Sequence, residues 1–343
     1  MPWRETDDPY RIWVSEIMLQ QTRVDQARPY YKRFMEAFPT VEDLAAAELD
    51  AVLNRWEGLG YYSRARYLHR AAQMIVEDFD GAVPDTYDAI RTLPGVGPYT
   101  AAAVLSIAYQ KPHGVLDGNV TRVLARVFAI EDDATKSRTK RRLQALTDAL
   151  VDPKQPGAFN QALMELGATI CTPRAPSCDA CPVQPVCTAH EMEAQEDYPV
   201  TPKKKPVPHH DIAVGLVFNK AGDILIQRRP EDGLLGGLWE FPGGKREDGE
   251  ALADTCRREL REEVGIEVAD VTPFYTLNHA YSHFKITLHA FRCRIAAGTP
   301  TSNEGQPIQW VPVDALDDYA FPRANRRLIE ELEHRQQEPS LFD

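Results

Sequence analysis

The sequence predicts a multidomain chain: an all-α domain first, a short cysteine-rich module next, and a smaller α/β domain last. Three observations predict it. The 343 residues suit two domains at roughly 100–200 residues each. Apolar residues recur at spacings of three and four through residues 1–170, as at Val14, Ile17 and Met18 and again at Val120, Val123 and Leu124. That is the period of an amphipathic helix. Beyond residue 209 the pattern turns into short apolar runs between turn residues, which is how strands read. Hydrophobic residues make up 43%, enough to build cores and to exclude global disorder.

Three segments of the helical half carry candidate chemistry. Glu16 sits inside the apolar stretch Ser15-Glu16-Ile17-Met18-Leu19, a poor place for a charge without a partner or a task. Leu93-Pro94-Gly95-Val96-Gly97-Pro98-Tyr99-Thr100 lies between two helical stretches. Its glycines permit a tight turn, and the following helix would present backbone N–H groups to a phosphate. A plain helix–helix connection reads the same way. Asp117, in Leu116-Asp117-Gly118-Asn119-Val120, stands where a helix N-cap is expected. Two carboxylates in different environments can divide into a proton donor and a stabilising anion.

Four of the six cysteines follow, as Cys171-x6-Cys178-x2-Cys181-x5-Cys187. Such a cluster reads as a metal site rather than a disulfide framework. Four thiolates suit a tetrahedral zinc or an iron–sulfur cluster, and the spacing does not choose between them. Arg174, inside the cluster, is a candidate phosphate contact. Residues 190–209 read as a linker, acidic at first and then rich in Pro and Lys. Strands are expected at 212–218 and 224–227 around a 220–223 turn, a helix at about 251–264, a strand at 284–295 and a last helix at about 323–336.

The net charge of −12 speaks at first sight against a nucleic-acid partner. Its distribution removes the objection. Residues 1–190 hold 21 basic and 24 acidic residues, whereas 191–200 add four acids and no base, and 301–343 hold 4 basic against 9 acidic. Nine of the twelve excess charges thus lie in two short segments outside the motifs. Lys136, Arg138, Lys140, Arg141 and Arg142 form a local basic run, which a solvated helix end also explains. No stretch is long and apolar enough to span a bilayer, and Met-Pro-Trp-Arg is no signal peptide, so a cytoplasmic location is expected.

The hairpin, the later Asp and the cysteine spacing together resemble the helix-hairpin-helix glycosylase superfamily with a 4Fe-4S cluster. Finer text narrows the resemblance: Ser-Glu-Ile-Met-Leu-Gln-Gln-Thr from Ser15, Gly58-Leu59-Gly60-Tyr61-Tyr62-Ser63-Arg64-Ala65-Arg66, Leu-Asp-Gly-Asn-Val from Leu116, and Phe159-Asn160-Gln161-Ala162-Leu163-Met164-Glu165-Leu166-Gly167-Ala168. These blocks resemble the MutY family of adenine glycosylases. The resemblance decides the metal for a 4Fe-4S cluster held by Cys171, Cys178, Cys181 and Cys187. It implies a substrate, adenine mispaired with 8-oxoguanine or guanine in duplex DNA, flipped from the stack before excision.

Under that resemblance Glu16 is the general acid and Asp117 stabilises the oxocarbenium ion, with Tyr99 and Asn119 orienting them. Trp3, Arg4 and Glu165 match adenine-pocket positions. Gln21 and Tyr61 match residues that fill the opened duplex. Gly95 and Gly97 meet the DNA backbone. Strand-cutting relatives carry a nucleophilic lysine where this chain has Tyr99, so a monofunctional glycosylase is expected. The family carries a helix ahead of Pro-Trp-Arg, and this chain starts at Met1-Pro2-Trp3-Arg4; a truncated start and a fold that dispenses with the helix are the two expectations. A monomer associated with the nucleoid is implied.

The last domain carries Gly244-x5-Glu250-x7-Arg258-Glu259-Leu260-x-Glu262-Glu263-x-Gly265-Ile266, a complete Nudix box. Glu259, Glu262 and Glu263 share one helical face, where a divalent cation such as Mg2+ would relieve their repulsion and hold a pyrophosphate. Ion pairs to Arg257, Arg258 and Arg261 would relieve it as well. The run Leu238-Trp239-Glu240-Phe241-Pro242-Gly243-Gly244-Lys245 resembles the MutT family, which makes hydrolysis of 8-oxo-dGTP the alternative activity. In MutY relatives this domain recognises 8-oxoguanine, and Tyr281, Ser282 and His283 resemble the recognition loop. The expected organisation is a helix-hairpin-helix glycosylase domain at 1–170, an iron–sulfur module at 171–189, a linker at 190–209, a Nudix-like α/β domain at 210–336 and a tail at 337–343. In that tail Ser340-Leu341-Phe342 resembles sliding-clamp-binding peptides.

Overall fold

The computed structural model describes residues 1–202, 206–231, 233, 235–281, 283–303 and 305–337. Ser282 and the Ser340-Leu341-Phe342 peptide lie outside the described residues. The chain divides into two compact units, one of residues 1–47 and 67–204, the other of residues 48–66 and 205–343.

The first unit is helical: α1 (Pro9–Leu19), α2 (Val24–Ala37) and α3 (Val41–Ala46) open it. After α4 (Leu49–Trp56), which belongs to the second unit, come α5 (Ser63–Asp78), α6 (Tyr87–Ile90), α7 (Pro98–Ile107), α8 (Gly118–Val127), α9 (Ser137–Leu150), α10 (Pro156–Thr169) and α11 (Thr188–Glu191). The starts follow from capping. Asp8 accepts from the N–H groups of Tyr10 and Arg11 with Pro9 at the first position, and Thr40 and Asp43 close a capping box. Helix α7 is the centre: Thr100 through Ile107 are all buried, and its alanines let α1 and α10 pack against it. Gly157 and Gly167 bring α10 close to α7 and to α8; a Cβ at Gly167 would stand 2.6 Å from that of Asn119.

The expected linker is partly built into this unit. Tyr198 is buried and its carbonyl accepts from Arg126 Nε at 3.2 Å, while Ala134 N–H donates to Val200 O at 2.9 Å. Part of the acidic stretch works locally: Glu196 accepts from the N–H of Ala175, a residue in the left-handed region at φ 45°.

After residue 208 the second unit runs through β1 (His209–Val217), β2 (Ile224–Arg228), β3 (Trp239–Glu240), β4 (Gly243–Lys245), α12 (Leu252–Val264), β5 (Glu267–Ala280), β6 (Lys285–Ala297), β7 (Ile308–Val311), a 3-10 turn (Val313–Asp318) and α13 (Arg323–Gln337). The expected strands around the 220–223 turn are present, with Asn219 Oδ1 accepting from Ala221 and Asp223 N–H groups. They part beyond the single bridge of Phe218 to Ile224. Strand β1 pairs in parallel with β6 along its whole length, within a sheet ordered β4-β1-β6-β5; β2 joins a second sheet ordered β3-β2-β7. Side chains alternate across β1. Val214 and Leu216 share a core with α13, while Ala213 and Val217 share one with α12. Helices thus cover both faces of the sheets.

Candidate active site

Three helices of the first unit bring the predicted acids together. Glu16 on α1 is only 5% exposed, and Tyr99 Oη at the start of α7 donates to its Oε2 at 2.7 Å. Burial raises the Glu16 carboxyl above its ordinary range; the Tyr99 hydrogen bond and the Arg4 charge oppose that, and the Asp117 charge adds to it. Burial likewise raises the Tyr99 phenol, followed by the Glu16 charge. So Tyr99 is a donor that does not ionise, and Glu16 is a carboxyl biased toward its protonated form.

Asp117 serves as the N-cap of α8 as well. Its Oδ1 accepts from Val120 N–H at 2.6 Å and its Oδ2 from Asn119 Nδ2 at 3.0 Å. Burial raises its pKa, and these hydrogen bonds together with the Arg122 charge pull it back. Two donors at the positive end of a helix hold this carboxylate in place and favour its charged form against burial. Asn119 is fixed in turn by Arg122, whose Nη2 donates to its Oδ1 at 2.9 Å and to Gly167 O at 2.6 Å.

The expected neighbours are placed variously. Trp3 is buried edge-on against Tyr31, with ring centroids 5.1 Å apart, and Arg4 acts on Glu16 and Tyr99 by charge. Glu165 is exposed on α10; the side chain of that helix that reaches Tyr99 is Met164, whose Sδ lies 3.4 Å from the phenol oxygen. Met164, Arg122 and Arg126 are site residues that the sequence reading did not single out. The signal for the arginines was weak: they stand four apart on α8, and Arg126 follows the buried run Val123-Leu124-Ala125 and is itself buried.

The hairpin before α7 takes the tight form its glycines allow. Gly95 lies at φ 76°, where a Cβ would stand 2.8 Å from that of Tyr67. Gly97 caps α7 from extended backbone, and a Cβ there would meet nothing within 4 Å. The space ahead of α7 is therefore free on the Gly97 side, where a helix start favours an anion. Gln21 and Tyr61, both expected to fill an opened duplex, are non-glycine residues in the left-handed region, at φ 55° and 50°.

All four clustered cysteines are half-buried and line one cavity with Val123, Arg126 and Ile170. Arg126, 2% exposed, points Nη1 at Cys171 Sγ over 3.3 Å and donates to the carbonyls of Thr172 and Pro173. Arg122 Nε donates to Cys171 O at 2.7 Å. Among the described residues no three His, Cys, Asp or Glu side chains converge closely enough for a single metal ion. A cubane cluster asks for something different: one thiolate per iron, with the sulfurs spread around a larger core. Four thiols around one cavity beside a buried guanidinium fit that requirement.

In the second unit the Nudix-box acids are already engaged. Arg258 donates to Glu250 at 3.0 Å, to Glu259 at 2.9 Å and to Glu262 at 3.0 Å. Glu263 accepts from Gln227 at 2.6 Å and from Gly243 N–H at 2.9 Å, and burial pushes its carboxyl up to about 7. The repulsion expected among these acids is relieved by protein donors. Nearby, Tyr281 stacks on Phe284 at 4.6 Å and meets His279 edge-on at 4.5 Å, while His283 lies edge-on to Tyr61 at 6.5 Å.

Comparison with known proteins agrees with this layout. The pattern described as HhH-GPD superfamily base excision DNA repair protein matches residues 14–149, and the NUDIX domain pattern matches residues 213–331. Adenine DNA glycosylase of Rattus norvegicus is 36% identical over 96% of this chain and 74% of its own length. The chain belongs to the adenine DNA glycosylase family. The Homo sapiens member is 34% identical over 96% of this chain and 70% of its own. A solved thermostable thymine-DNA glycosylase superposes with a TM-score of 0.52 at 32% identity, covering 56% of this chain and 88% of that one. As a member of the adenine DNA glycosylase family the chain is a DNA N-glycosylase of base excision repair, built from a helix-hairpin-helix domain and a Nudix-like α/β domain. Among the described residues no helix is long and apolar enough to cross a membrane.

Proposed function

We propose that this adenine DNA glycosylase family member excises adenine opposite 8-oxoguanine or guanine in duplex DNA, and that it hydrolyses the N-glycosidic bond without cutting the strand. The observation that carries the reading is the buried Glu16–Tyr99 pair beside the capped carboxylate of Asp117. Glu16, held toward its protonated form, gives its proton to the departing base. Asp117, anchored by α8 and Asn119, stays an anion and faces the positive charge that grows on the sugar. Tyr99 holds Glu16 in place and offers no amine for a Schiff base. Trp3, Arg4 and Glu165 belong to the base pocket, Gln21 and Tyr61 to the gap in the duplex, and Gly95 and Gly97 to the backbone contact.

Cys171, Cys178, Cys181 and Cys187 would hold a 4Fe-4S cluster, which when bound cross-links the 171–187 segment through four thiolate–iron bonds. The α/β domain reads the base opposite adenine through Tyr281, Ser282 and His283, and its Nudix acids serve as a protein-satisfied scaffold. The test is single-turnover adenine release from a duplex with adenine opposite 8-oxoguanine. Glu16→Gln is expected to lower the rate by about 10²–10⁴ while duplex binding is kept. Borohydride reduction of the native reaction is expected to trap no protein–DNA adduct. Release that survives in Glu16→Gln overturns the assignment of the acid.

A further inference from the structure

The loop between α4 and α5, residues 57–62, is held in a conformation it would not choose alone. Gly58 and Gly60 lie at φ 89° and 78°, and Tyr61 at φ 50°. Local ties come from one side. Arg64 donates to Gly60 O at 2.9 Å and sits over the Trp56 and Tyr61 rings, and Trp56 Nε1 donates to Gly60 O at 3.0 Å. The other ties come from α13 and the segment before it. Arg326 grips both oxygens of Glu57, through Nε and through Nη2 at 3.0 Å, with side chains only 16% and 18% exposed. Arg326 also donates to Leu316 O, Tyr319 O and the Asp317 carboxylate, and lies over the Phe321 ring. Tyr62 Oη accepts from Gly58 N–H at 3.1 Å and donates to Phe321 O at 3.5 Å.

The next residue on α13 faces elsewhere. Arg327 donates to Asn278 O near the end of β5, three residues before Tyr281. Consecutive residues near the start of α13 therefore hold the loop that carries Tyr61 and the strand that delivers Tyr281. The two loops also meet at the Tyr61–His283 ring contact. We propose that Arg326 is a specificity-positioning residue, which locks the Tyr61 loop in register with the base-reading loop so that the opposite base controls excision. The inference rests on the reading in which Tyr281 and His283 recognise 8-oxoguanine. A bidentate pair so enclosed differs from an exposed ion pair, which would hold nothing in register.

The experiment compares single-turnover adenine release opposite 8-oxoguanine and opposite guanine, using the full chain. Native protein, Arg326→Gln, Arg326→Lys and Glu57→Gln are measured, with thermal melting on each. Glu57→Gln leaves the other bonds of Arg326 in place and so keeps the test valid if Arg326→Gln folds poorly. The preference for 8-oxoguanine is expected to fall about 5-fold or more in Arg326→Gln and Glu57→Gln. Release opposite guanine stays unchanged, and Arg326→Lys recovers part of the preference. An unchanged preference, or an equal fall on both substrates, overturns the inference. A native protein with no preference between the two duplexes overturns the 8-oxoguanine reading itself, and the inference with it.

Discussion

A carboxyl in an apolar helix has a thermodynamic signature as well as a chemical one. Glu16 is raised above its ordinary value by burial, so in the folded protein it keeps a proton that the unfolded chain has already released. Between the ordinary and the raised value the folded state binds more protons, and stability declines as pH rises through that window. Glu16→Gln removes the dependence while its amide oxygen still accepts from Tyr99. The variant is expected to melt above the native protein at neutral pH, with a smaller difference in mild acid, by about 2–4 °C for each kcal/mol gained. A variant that melts lower at neutral pH would mean that the Glu16 charge is compensated. The same substitution removes the proposed proton donor, so gain in stability and loss of excision are expected together. Asp117 combines its cap with its proposed catalytic task differently, because the N-cap bond that starts α8 also fixes the carboxylate. Removing it costs the helix a cap, typically about 1 kcal/mol, besides the charge.

At the scale of elements, the hairpin before α7 separates two roles of glycine. Gly95→Ala puts a side chain into left-handed backbone at a cost of about 1–2 kcal/mol, with Tyr67 in its way, and should lower the denaturation midpoint. Gly97→Ala meets no protein atom within 4 Å, so it should fold normally; under the proposed backbone contact its methyl would crowd the phosphate and weaken duplex binding, read by fluorescence anisotropy. Equal loss of stability in both would show that the hairpin serves the fold alone. Much of this was legible in the sequence: the glycines, the Asp before Gly and the lone acid among apolar residues each break a local rule. Met164, Arg122 and Arg326 break none. An arginine reads as solvated until folding brings its partner across, the Gly167 carbonyl 45 positions away for Arg122 and the Glu57 carboxylate 269 positions away for Arg326. The parting of β1 and β2 was hidden for the same reason, since strand partners are set by the long parallel register with β6.

For the whole molecule the acidic balance is a surface property with a local exception. The −12 charge is concentrated away from the hairpin and the paired acids, and one of those carboxylates, Glu196, braces the loop of the cysteine cavity. The division into units has a topological consequence. Residues 48–66 are counted with the later α/β domain although they lie early in the chain, and Asp50, Asn54, Glu57 and Arg66 bond to residues beyond 227. The polypeptide passes from one unit to the other three times, so the linker is only one of three covalent crossings. Cutting the peptide bond after Lys204 should leave two fragments that co-elute from a sizing column, because the amino-terminal piece still carries the segment its counterpart folds around. Separate elution would show that the two pieces are self-sufficient. Fragment complementation, rather than simple truncation, is how this protein should be taken apart.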